Sequence, residues 1–96
     1  MKATSGILAA ALMLWPAALP AAEAPPGAEA CSGCHAVSAA AETPVPKIHG
    51  RNADEMVAAM AAFRTGSKPS TVMDRIAKGF SEEETRAIAT WLAAQR

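Results

Sequence analysis

Large side chains are scarce in this 96-residue chain, which has two tryptophans, two phenylalanines and no tyrosine. One of the four aromatics, Trp15, falls in an N-terminal apolar stretch. Only Phe63, Phe80 and Trp91 are left for a core. A domain this small and this poor in bulky groups needs a staple. Excess charge is absent too: nine Lys and Arg stand against nine Asp and Glu. There is no basic footprint of the kind that binds nucleic acid. Cysteine and histidine are limited to two each. A second C-x-x-C is therefore excluded, and with it a four-cysteine zinc or iron–sulfur site. Nor does the pattern show βαβ units, the usual setting of a thioredoxin-like pair.

The N-terminal segment sets the expected compartment. Lys2 gives a short positive start, Ile7 to Leu19 is apolar, and small residues follow at Ala21, Ala22 and Ala24. This is the layout of a secretory signal peptide, with an apolar run too short to span a bilayer. Residues 1–22 are expected to be removed, with the cut between 21 and 24. Residues 23–96, about 74 residues, would form a single exported domain without stable membrane insertion. In a bacterial cell that places the mature chain in the periplasm.

The two cysteines belong to one motif, Cys31-Ser32-Gly33-Cys34-His35. It reads C-x-x-C-H, the pattern of c-type haem attachment. Two cysteines on one helical turn can form thioethers to the two vinyl groups of a haem, and the next residue can ligate its iron. A Cys₂His₂ zinc site using His49, a dithiol redox pair and a small disulfide loop are the other fates these residues permit. A covalent haem also meets the need for a staple, because short helices can pack around a large apolar plate.

The rest of the chain reads as short helices. Glu23 to Gly27 is expected to be a mobile linker and Gly27 to His35 a first helix of small residues. Val37 to Gly50 is a loop. Within it, Thr43-Pro44-Val45-Pro46 is extended by its prolines. A carbonyl near Pro46 is placed to accept from the free ring nitrogen of His35, against the alternative of a plain linker. His49 is expected to be exposed or at a haem edge rather than a second ligand. Asn52 to Arg64 is a helix capped by Asn52 with Glu55 three residues on, and Gly66 stops it. Its Met56, Val57, Met60 and Phe63 form an apolar stripe.

Asp74 to Lys78 makes one or two helical turns before Gly79. Met73 therefore stands at a loop–helix junction, 38 residues after His35. It is the leading candidate for a distal iron ligand. Met56 and Met60 compete for the role, and burial in a core is the alternative for each. Ser81 to Arg96 is a terminal helix with a Ser81–Glu84 capping box and an expected inner face of Ala87, Ile88, Trp91 and Leu92. Trp91 is expected to press on the first helix.

These features together resemble a class I cytochrome c. The runs Val45-Pro46-Lys47-Ile48-His49-Gly50, Phe63-Arg64-Thr65-Gly66 and Thr71-Val72-Met73-Asp74-Arg75-Ile76-Ala77-Lys78-Gly79-Phe80-Ser81 resemble more narrowly the cytochrome subunit of flavocytochrome c sulfide dehydrogenase. The resemblance implies a small all-α fold of three to four short helices around one covalent haem c. It implies thioethers at Cys31 and Cys34, His35 as proximal ligand and Met73 as distal ligand. Pro46, Ile48, Phe63 and Ile76 are the candidate pocket residues. It further implies an electron-transfer protein that is not an enzyme by itself and that takes electrons from an FAD-containing sulfide dehydrogenase subunit. Many members of that family carry two haem domains, whereas this chain has one C-x-x-C-H. Three alternatives stay beside it: a free periplasmic shuttle to an oxidase or another cytochrome, a haem enzyme or sensor with an open iron site, and a small exported helical domain with no haem. Lys47, Arg51, Lys68, Arg75 and Lys78 flank the loops expected to face the haem, and could guide an acidic partner or simply be solvated charges.

Overall fold

A computed structural model of the chain describes residues 2, 3, 6, 10, 11, 13, 14, 23–38 and 42–95. Most of the expected apolar run at Ile7 to Leu19, part of the Val37 to Gly50 loop and the terminal Arg96 lie outside the described residues. The fold is all-α, as expected: α1 (Ala28–Cys31), α2 (Ala53–Thr65), α3 (Met73–Ala77) and α4 (Glu82–Ala93), with no strand among the described residues. No helix among them is long and apolar enough to cross a membrane.

Local chemistry sets most of the boundaries. The Asn52 side chain accepts from the Glu55 amide at 3.1 Å and starts α2. Gly66, at φ 79°, ends it. Ser81 and Glu84 form the complete capping box of α4, at 3.1 and 3.0 Å. The first helix departs from expectation. It ends at Cys31, and the chain runs on to His35 in tighter turns, with Ser32, Gly33 and Cys34 amides each bonded three residues back. Ser32 and Gly33 are poor helix formers, so nothing local holds the wider helical ladder there.

The core is built from small and medium side chains. Ala28, Met56, Ile88, Ala89 and Leu92 form its buried centre, and Ile48, Val57, Phe80 and Trp91 pack around them. The α4 face is rotated from the expected one. Thr85, Ile88, Ala89 and Leu92 are buried, whereas Ala87 is exposed and Trp91 is half-buried. α4 packs on both α2 and α1, so its buried stripe follows the seam between two neighbours. The lead-in to α1 is also packed rather than free. Ala24 lies against the core, and the Pro25 carbonyl accepts from the Ala28 amide at 3.1 Å.

Gly27 explains how α1 reaches α4. Its φ is 88°, and a Cβ added there would lie 2.6 Å from the Phe80 ring and 3.5 Å from Ile88. Phe80 and Ile88 thus meet the start of α1, while Trp91 packs on the cluster that contains Ala28. Gly66 has a similar φ with open space around it. Gly66→Ala is expected to lose about 1 kcal/mol from backbone strain alone. Gly27→Ala should lose more, because the Phe80 ring must also move. Urea unfolding of the two variants measures the difference, and equal losses would contradict the contact.

Candidate functional site

The C-x-x-C-H turn starts from α1 and closes on the loop that precedes α2. Cys31 and Cys34 are unpaired thiols, Cys31 half-buried and Cys34 exposed. The Cys31 thiol sits 3.7 Å from the Gly27 carbonyl, and burial pushes its pKa up. A redox-active dithiol relies on a depressed pKa, so the shift at Cys31 runs against that alternative.

The His35 amide returns to the Cys31 carbonyl at 2.8 Å, which folds the imidazole under the turn. The ring Nδ1 lies 2.5 Å from the Pro46 carbonyl. A carbonyl only accepts, so Nδ1 carries the proton and Nε2 of the neutral ring keeps its lone pair. This is the bond expected from the proline run, with Pro46 itself as the acceptor. Nε2 has no hydrogen bond among the described residues. The donor set fits a covalently attached haem. It offers two free thiols on one turn and a half-buried imidazole whose tautomer leaves Nε2 able to bind iron.

His49 is not exposed. It is 4% accessible and packed in the interior, with Nε2 2.9 Å from Ser32 Oγ. Of the two placements expected for it, the exposed one is thereby excluded. This loop is drawn inward by the Gly50 amide, which donates to the Leu92 carbonyl at 2.9 Å. The Cys₂His₂ arrangement is not assembled either: among the described residues no three His, Cys, Asp or Glu side chains converge as a metal site.

Met73 opens α3 and is half-buried. A five-residue helix is marginal alone, and this one is secured at both ends. Ser70 Oγ accepts from the Asp74 amide at 3.0 Å. At the other end the Arg64 guanidinium reaches out of α2 to the Ala77 carbonyl at 3.2 Å and to the Phe80 carbonyl. Reading by pattern missed Arg64, since an arginine in the last turn of a helix ordinarily signals only dipole compensation. Of the other pocket candidates, Ile48 packs on the core, Pro46 is exposed and Phe63 is half-buried beneath Lys68 Nζ, 5.1 Å from the ring centroid. Ile76 is 38% exposed and Val72, beside Met73, is 49% exposed. Met56 is buried in the core, as a helix stripe methionine should be, while Met60 is half-buried on the same helix.

The buried His49 generates a pH dependence. Desolvation, aided by the nearby charge of Lys47, lowers its pKa from 6.5. The unfolded chain therefore takes up this proton first. The stability the neutral ring contributes is intact above pH 6.5 and is lost as pH falls from there through the lowered folded value. Glu84, whose carboxylate is held down by its bonds to Ser81, acts in a separate window below pH 4.5. Urea unfolding at about pH 7 and about pH 5 should show a fall in stability that His49→Leu removes. An unchanged fall in the variant would contradict the assignment.

Comparison with known proteins agrees with the motif resemblance. No family model matches the chain. It is 38% identical over 61 residues to the cytochrome subunit of sulfide dehydrogenase from Chlorobaculum tepidum. The match covers 64% of this chain and 56% of that protein, so it spans little more than half of the relative. Four short helices with no strand among the described residues, together with this relative, are consistent with a small all-α cytochrome c fold.

Proposed function

We propose that this chain is an exported mono-haem c-type cytochrome that transfers electrons. Residues 1–22 form the signal peptide and residues 23–96 the cytochrome domain in the periplasm. Cys31 and Cys34 are the thioether positions, His35 the proximal ligand and Met73 the distal ligand. Pro46, Ile48, Phe63 and Ile76 line the pocket. The observation that carries this reading is the 2.5 Å contact between His35 Nδ1 and the Pro46 carbonyl, set beside two unpaired thiols.

A haem iron held in this way supplies one-electron exchange. The chain's own residues prepare it. The Pro46 carbonyl keeps the proton on Nδ1, orients the ring and raises the basicity of Nε2. Ser70 and Arg64 hold the ends of α3, and so fix where Met73 begins. Met73 as an iron ligand would occupy the position that an oxygen-activating enzyme or gas sensor keeps open, which favours a carrier that is not an enzyme by itself. The donor is a flavin-containing sulfide dehydrogenase subunit, a choice that rests on the relative's name and on the motif runs. The onward acceptor is another cytochrome or an oxidase.

In the haem-loaded protein, Met73→Ala should abolish the six-coordinate, low-spin spectrum of the reduced state. Its persistence would contradict the ligand assignment. Size exclusion of the native protein, followed by haem and flavin absorbance together, should give one peak well above the mass of the single chain. A haem peak alone near that mass would replace the subunit reading with a free shuttle.

A further inference from the structure

The segment 46–50 touches the C-x-x-C-H turn twice and α4 once. The Pro46 carbonyl meets His35 Nδ1, His49 Nε2 meets Ser32 Oγ, and the Gly50 amide meets the Leu92 carbonyl. His49 is an unusual choice for its surroundings. Its ring is 4% accessible, and its Nδ1 is buried without a hydrogen bond among the described residues. An orphaned buried nitrogen lowers stability, so filling space does not by itself account for an imidazole here.

The one bond the ring makes is aimed at the attachment turn. Ser32 lies directly after Cys31, in a stretch held by single three-residue bonds and containing Gly33. Such turns are weakly held on their own. Among the described residues, and apart from the Cys31 thiol on the Gly27 carbonyl, the side-chain hydrogen bonds of this turn are Ser32 to His49 and His35 to Pro46. Both come from the same short segment, which α4 holds in place through Gly50.

We propose that His49 is a positioning residue for His35. By gripping Ser32 it keeps segment 46–50 in register with the attachment turn, and so keeps the Pro46 carbonyl on Nδ1 of the proximal imidazole. This rests on the reading of His35 as an iron ligand. Among the described residues, no hydrogen bond joins His49 to either cysteine or to the proposed ligands. Donation in either direction between Nε2 and the Ser32 hydroxyl serves the purpose.

The test uses the haem-loaded full chain as wild type, His49→Leu, His49→Gln and Ser32→Ala. Two quantities are followed: solvent exchange of the His35 Nδ1 proton by NMR, and the reduction potential. His49→Leu and Ser32→Ala should each speed that exchange roughly fivefold, the effect of weakening one hydrogen bond. Both should raise the potential, because a less firmly bonded imidazole is a poorer donor to ferric iron. The double variant should go no further than either single one. His49→Gln, whose amide can reach Ser32, should stay near wild type.

Ser32→Ala removes only a hydroxyl, so it decides the matter even where His49→Leu fails to fold. Lower stability with unchanged exchange and potential would overturn the inference and leave His49 a packing residue. Absence of covalent haem from the wild type would instead overturn the ligand reading, and the inference with it.

Discussion

The contact between His35 Nδ1 and the Pro46 carbonyl is the constraint on which the rest of the site depends. It joins a short turn after α1 to the proline-containing loop before α2. It also chooses the tautomer. With the proton fixed on Nδ1, the opposite nitrogen is the one able to bind a metal. The prolines make this affordable in entropy, because a proline-stiffened segment has few conformations to lose.

The scaffold around that contact is economical in large side chains. Ala28 and Ala77 are almost fully buried, and none of the described bulky residues falls below 2% accessibility. Close approach replaces bulk: Gly27 lets the chain enter α1 against Phe80 and Ile88, and Gly50 lets the loop meet the end of α4. A core of this kind leaves apolar side chains such as Val72 and Ile76 substantially exposed beside Met73. These residues suit the edge of a large flat apolar group.

What could be read in the sequence was whatever local chemistry decides. Asn52, Gly66, Ser81 and Glu84 end and begin helices through bonds to neighbours a few residues away, and they do so as expected. Met73 at the head of α3 and Pro46 as acceptor were legible for the same reason, since prolines and helix stops locate them. The early stop of α1 follows from the poor helix propensity of Ser32 and Gly33; the other misses depend on distant partners. The α4 face turns toward Thr85 and Ala89 because two helices press on it. His49 goes inside because Gly50 is tied to Leu92, and Arg64 serves α3 because a neighbouring helix leaves two carbonyls within reach. None of these last three has a periodic or motif signal that a single chain displays.

The central claim is that Cys31 and Cys34 carry a haem and that the exported chain is a cytochrome. The most direct measurement is the intact mass of the native protein purified from the periplasm, taken under denaturing conditions. The account expects a chain shortened by its signal peptide and heavier by one haem, with both cysteines blocked to alkylation. A mass matching the bare polypeptide, with two thiols open to alkylation or joined in a disulfide, would contradict it.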